Sequence, residues 1–539
     1  MARQSTTPVQ FNKSRRTDDS VLMTSGRAGR VQTVAYIPLL RGDSASGRVG
    51  IDIDLAEMPK PLLNAVQANV QAWFVPKSCF PQFPGMDEFR HAYQGGRIKS
   101  LGAPDRDPPK LFNLVSPVQK LRDSDFAKGL GLHFTPSNPV NTDVVDAAAL
   151  VYNFRLAAHS SRLQRKSYCI EDLDDALELP RAFWPTGRFS RVVPDYERAL
   201  IVGSLDLDVA AGQIPIEGIS RTPGQQGTAT ATYTGGPDAA HVGAAGKSIS
   251  FDVDEHGESN IFAAMTGQSI GVTLADIDKA RTTQAFAKLR TAYAGNDATG
   301  FDNDDAIVAD LMQGFQVDPE EFNRPMLLDS SRVTFGMSER HATDAANLDA
   351  SVTTGLASAT LSLNVPRQET GGIIIVTVEV LPERIDERMS DEYWHISKSE
   401  QLPDALRDVQ RPEPVDLVIN RRIDARHTAP DGLYGYEAMN DVWNRATTRL
   451  GGSFYQADPT NPFKEQRSAI WQTSIVDPTF TDDHWLAPAD FPHSVFSDTQ
   501  ADAYELVCRH SVAITGLTQI GDVLSESNDD YEAVRISEE

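Results

Sequence analysis

The sequence predicts an all-β fold with helical insertions, a single β-sandwich or barrel whose strands come from both ends of the chain. Three observations lead there. Near the N-terminus, "RVGIDIDL" places Val49, Ile51, Ile53 and Leu55 in alternation with Gly50, Asp52 and Asp54, the period of a strand with one buried face. Near the C-terminus, "GGIIIVTVEVLP" (Gly371 to Pro382) is an almost unbroken β-branched run, as a central strand buried on both faces requires. Between them lies a long stretch rich in loops and helices, which a sandwich can carry as insertions.

The remaining elements follow in chain order. Residues 1–48 hold eight Lys/Arg against three acids. Their polar start predicts an extended or flexible basic arm, taken as residues 1–35. In "NAVQANVQAWFVP", Val66, Ala68, Val70, Ala72 and Phe74 alternate with polar residues until Pro76 ends the strand. Residues 143–164 put Val145, Ala148, Tyr152, Leu156 and Leu163 near helical spacing, and residues 274–294 form the clearest amphipathic helix. Residues 205–253 are Gly, Thr and Ala with few large apolar side chains, the composition of a surface excursion. "PVDLVINRRI" and "AYELVCRHSVAITG" read as further strands, and residues 526–539 as an acidic, solvated tail. The sandwich proper spans 36–525, with insertions at about 77–370 and 383–500.

Composition narrows the function. The 539 residues carry a net charge of -25, which disfavours binding nucleic acid over the whole surface but allows a local basic patch. Cys79, Cys169 and Cys508 are odd in number and widely spaced, as reduced thiols rather than a disulfide scaffold. With no bilayer-length apolar run and no apolar leader, the expectation is folding in a cytoplasm without a membrane role.

Local catalytic signatures are missing. "HVGAAGKS" (241–248) has His241 where a phosphate-binding loop needs glycine, and "DNDDAIVAD" (302–310) lacks the glycine and terminal glutamate of a calcium loop. No Cys-x-x-Cys pair occurs. The expectation is a protein that is not an enzyme, with no cofactor and no metal. A glycosidase stays open, because paired carboxylates leave no local motif. The basic segments "NKSRR" and "GRAGR" nominate Lys13, Arg15, Arg16, Arg27 and Arg30 for neutralising nucleic-acid phosphates, with a merely soluble terminus as the alternative. Arg41-Gly42-Asp43 is expected to be a turn between strands rather than an adhesion motif.

Six segments in order carry a resemblance. They are "YIPLLRGDSASGRVGIDIDLAEMPKPLLNAVQANVQAWFVPKSCF", "LVYNFRLAA", "FWPTGRFSRVVPDYERALI", "LMQGFQVDPEEFNRPMLL", the pair "GGIIIVTVEVLPE" and "GLYGYEAMNDVWNRAT", and "DTQADAYELVCRHSVAITG". Together they resemble the major capsid protein of microviruses, the small tailless single-stranded DNA phages (Microviridae, gokushovirus-like). Arg41 stands where that family has proline before Gly-Asp, and several late arginines and tyrosines of the family are missing. The resemblance implies an eight-stranded antiparallel viral jelly roll with large loop insertions. It implies a T=1 icosahedral shell of identical copies around single-stranded DNA, assembled in a bacterial cytoplasm and found in the virion. Its implied partners are a small basic DNA-packaging protein, scaffolding and pilot proteins and a host surface receptor. In that setting the basic arm faces the genome, residues 205–253 are a variable outer insertion, and Trp184, Tyr196, Trp443, Tyr455, Trp471 and Trp485 suit interfaces, with ordinary core packing as the alternative for each. The alternative is a carbohydrate-binding β-sandwich adhesin of a phage.

Overall fold

A computed structural model describes residues 13–195, 324–341, 351–409, 415–444, 448–455, 469–471 and 477–521, with short breaks at 84, 99–105, 117, 136–137, 161–162, 186 and 188. The chain divides into two units, residues 1–197 with 294–539, and residues 198–293; all described residues belong to the first. The Gly/Thr-rich stretch 205–253, the amphipathic helix at 274–294, Tyr196 and the acidic tail lie outside the described residues.

The strands in chain order are β1 (Ser14–Gly26), β2 (Val31–Leu39), β3 (Ser44–Leu55), β4 (Val66–Pro76), β5 (Leu114–Val115), β6 (Val140–Asn141) and β7 (Met326–Thr334). They continue as β8 (Gly336–His341), β9 (Ser351–Val365), β10 (Gly372–Pro382), β11 (Val415–Ile419), β12 (Leu433–Ala438) and β13 (Tyr504–Gly516). Two antiparallel sheets form the body, ordered β1-β13-β3-β9-β8 and β2-β10-β4-β7. The protein is therefore an all-β sandwich, with strands from both chain ends interleaved in each sheet.

Among the described residues thirteen strands replace the eight that the resemblance implies. The surplus has a physical origin: β8 folds back on β9 and widens the first sheet, while the insertions build small sheets of their own, β5-β6 and β11-β12.

The periodicities read from sequence set the core. Val49, Ile51, Ile53 and Leu55 of β3 point inward, as do Val66, Ala68, Val70, Ala72 and Phe74 of β4. In β10, Ile374, Val376, Val378 and Val380 enter the same core, while Ile373 and Ile375 face the other way into a second cluster. That second cluster exists because a helix covers the outer face of this sheet: α4 (Asp143–His159) sets Ala147, Leu150 and Val151 against β10 and β4. Shorter helices α1 (Met86–Gln94), α2 (Gln119–Asp123), α3 (Asp125–Gly129) and α5 (Leu173–Leu177) complete this layer. At the start of β10, Gly371 adopts φ +69 and a Cβ there would sit 2.7 Å from the Leu39 carbonyl oxygen, so this crossing of backbones requires glycine.

The basic arm expected at 1–35 is corrected from Ser14 onward. Residues 14–26 are β1, paired with β13 along their whole length from Ser14↔Gly516 to Gly26↔Tyr504. The reason is long-range pairing: inward-facing Arg16 and Asp18 bond Asp43 and His510, so a polar segment can occupy a sheet.

Of the two readings open for Trp471 and Trp485, the structure takes the core one. Trp471 packs edge-on against Phe491 and Phe496 while its ring N–H donates to the Pro492 carbonyl at 2.8 Å. No helix among the described residues is long and apolar enough to cross a membrane.

Candidate functional site

The five nominated basic residues do not converge. Lys13 and Arg15 are exposed at the start of β1, and Arg27 is exposed just past its end. Those ends are roughly 40 Å apart at strand rise. Arg16 binds Asp43 through both guanidinium nitrogens, at 3.2 and 2.5 Å. Arg30 donates to Glu178, at 3.1 Å, and to the carbonyls of Leu179 and Ala489, at 2.8 and 3.1 Å. Two of the five therefore hold the fold together, and three are left facing solvent.

The outer face of the first sheet is open. Thr17, Ser46, Ser358, Thr360, Ser362, Asn364 and Ser511 lie on it, all exposed, with Arg15, Arg48 and Arg509 interspersed. Asp19, Asp52, Asp54 and Glu505 share the face, and Arg509 pairs with Asp52 at 3.6 Å. It mixes polar groups of both signs with exposed Val21, Met23 and Leu356, and is not a basic patch.

The turn Arg41-Gly42-Asp43 joins β2 to β3. Gly42 sits at φ +83, Asp43 is fully buried, and its carboxylate accepts from the Leu40 amide at 2.6 Å as well as from Arg16. A carboxylate held this way has no face to offer a receptor.

A different surface stands out in the insertion that follows β10. Trp394 is 82% exposed and Leu406 81%, and Tyr393, Leu402, Leu417, Leu433 and Tyr455 are exposed with them. Their backbone is fixed: Arg449 bonds Asp391 at 2.6 Å, and Asn440 bonds Asp408 and Asp416 at 2.8 and 2.7 Å. Large side chains displayed from one braced region mark a contact surface. Sequence reading nominated Tyr455 and missed the others, because short apolar runs between prolines read equally well as core.

Beneath it is a cavity of about 280 Å³ bordered by Met389, Tyr393, Ile396, Leu417, Ile419 and Trp443. Buried Arg422 in its wall bonds Glu437 at 2.6 Å and lies 3.5 Å from Glu392. One guanidinium thus bridges two carboxylates and ties β12 to the loop after β10.

Nearby, burial and the Arg384 charge push His484 down to about 3, so its ring is neutral; it packs on Phe480 and bonds the Tyr434 hydroxyl at 2.9 Å. The three thiols are unpaired, and burial pushes Cys508 up to about 12 and the other two higher still. Among the described residues no three His, Cys, Asp or Glu side chains converge as a metal site. The chain matches no protein-family model, and a search of curated proteins finds no match to it.

Proposed function

We propose that this protein is the major capsid protein of a small tailless single-stranded DNA phage, a structural subunit that builds a T=1 icosahedral shell. The observation that carries the reading is strand order. With β8 set aside as an edge extension, the eight strands of the two large sheets, counted along the chain, run 1-8-3-6 and 2-7-4-5. That order supports a jelly roll, the two-Greek-key sandwich used by viral capsids and by lectins. The microvirus-like segments favour the capsid over the lectin.

The exposed apolar side chains after β10 support the same reading. A shell subunit meets identical neighbours through several interfaces that close by symmetry, and such interfaces hold aromatic and aliphatic anchors on rigid supports. In this proposal Trp394 and Leu406 are buried between subunits. The genome is held on the inner surface by Lys13, Arg15 and Arg27 together with a small basic packaging protein. Scaffolding and pilot proteins assist assembly in the bacterial cytoplasm, the product is the virion, and residues 205–253 form the part that meets the host receptor. Catalysis has no place in this role.

The carbohydrate-binding adhesin is the competing reading, since lectins share the winding. Sedimentation velocity of the purified chain, combined with a glycan-binding screen, separates them. A capsid subunit sediments as large closed particles and binds no glycan selectively. A defined trimer with selective glycan binding would replace the proposal with the adhesin.

A further inference from the structure

An apolar cavity of about 390 Å³ lies over the outer face of the second sheet, at one end of β2 and β10. It is remote in role from the shell contacts proposed above. Tyr36, Phe89, Leu121, Phe126, Phe134 and Ile373 make much of its wall. Size and lining are those of a small-molecule pocket. At about 30 Å³ per non-hydrogen atom, an occupant that filled it would have about a dozen such atoms.

An ion pair is set into this wall. Lys77 Nζ donates to Asp143 Oδ2 at 2.6 Å and lies 4.2 and 4.7 Å from the ring centres of Phe80 and Phe112. Lys77 is 7% exposed and Asp143 6%. Asp143 sits at the first turn of α4, and its second oxygen, Oδ1, is buried with no hydrogen-bond partner. A buried acceptor without a donor is costly, and a ligand that supplies a donor recovers that cost. Burial pushes Lys77 down and Asp143 up, against their mutual attraction. The other charged residue lining the cavity is Arg41, which is exposed and lies over the Tyr93 ring at 5.1 Å.

We propose that this cavity binds a neutral amphiphile of about ten carbons, whose hydroxyl donates to Asp143 Oδ1 while its chain lies along the apolar wall. The headgroup follows from charge. At Oδ1 a carboxylate head would oppose both Asp143 and buried Asp146, which acts on the pair, and an ammonium head would crowd Lys77. A hydroxyl satisfies the free oxygen and adds no charge.

Calorimetric titration of the full chain with 1-decanol, decanoate and decylamine tests this. The expected result is saturable binding of one decanol per chain, with the two charged probes at least about tenfold weaker. Val144, a partly buried lining residue of α4, supplies the filling variant. Val144→Phe is expected to abolish decanol binding without lowering the melting temperature. A second variant combines Lys77→Met with Asp143→Leu, since apolar replacement of a buried pair preserves folding. It is expected to bind decane as tightly as decanol, erasing the headgroup preference. Decanoate or decylamine binding as tightly as decanol would overturn the assignment of the head. Non-saturable decanol uptake, or uptake unchanged in Val144→Phe, would overturn the site.

Discussion

The Asp43 carboxylate and the Arg16 guanidinium join the β2-β3 turn to the outermost strand of the first sheet. Asp43 is wholly buried, Arg16 about a fifth exposed, and the two are bonded through both nitrogens. Asp43→Asn is expected to lower unfolding free energy by about 3 kcal/mol, because it strands a partly buried guanidinium. Urea unfolding measures this. A loss below about 0.5 kcal/mol, the range of ordinary surface substitutions, would show that the pair is incidental.

Acid should weaken the fold through His484. Unfolded, the imidazole titrates near 6.5; folded, near 3, because burial disfavours its charged form. Below 6.5 the unfolded chain takes up a proton that the folded chain refuses. The stability is therefore whole above 6.5 and declines as pH falls toward 3, by up to about 1.4 kcal/mol per pH unit. Chemical melts at pH 7 and pH 4.5 should differ by about 2 to 3 kcal/mol from this residue. His484→Phe should be less stable at pH 7, for loss of the Tyr434 bond, yet flatter with pH. An unchanged slope in that variant would assign the acid sensitivity elsewhere.

How much of this was legible in the sequence depends on where each residue finds its partner. Strands β3, β4, β10 and β13 were readable because alternation, or an unbroken β-branched run, is local information. β1 was not, because its inward positions hold Arg16 and Asp18, whose partners Asp43 and His510 lie 27 and 492 residues away. Glu379 shows the same effect inside a β-branched run: it is buried, and its guanidinium partner is Arg155, 224 residues back on α4. The Lys77–Asp143 pair, 66 residues apart, left no local trace either. For the candidate surfaces the sequence supplied residue types but not facing: Trp471 and Trp485 went inward, while Trp394 and Leu406 stayed outside.

Replacing both Trp394 and Leu406 by serine should leave the subunit folded. Neither side chain is buried in the subunit, so the melting free energy should move by less than about 0.5 kcal/mol. Assembly should suffer far more, since central aromatic anchors carry about 2 kcal/mol or more each at protein interfaces. Sedimentation velocity reads both species. Full assembly by the double variant would remove this surface from the subunit contacts.

Genome retention should depend on Lys13, Arg15 and Arg27 and not on Arg16 or Arg30. Changing the first three to glutamine should reduce DNA per particle while shell yield holds. Single-stranded DNA affinity should also lose roughly 0.7 of salt slope for each phosphate contact removed. Arg16→Gln and Arg30→Gln should instead lower thermal stability, because those guanidinium groups bond Asp43, Glu178 and two main-chain carbonyls. Undiminished DNA content in the triple variant would contradict an inward-facing role.

Electron microscopy of the full chain purified from expressing bacterial cells tests the central claim most directly. The account predicts closed isometric particles of one size, built from identical 59.0 kDa subunits and packed through the insertion after β10. A monodisperse small oligomer at every concentration, with Trp394 and Leu406 still open to solvent, would contradict it.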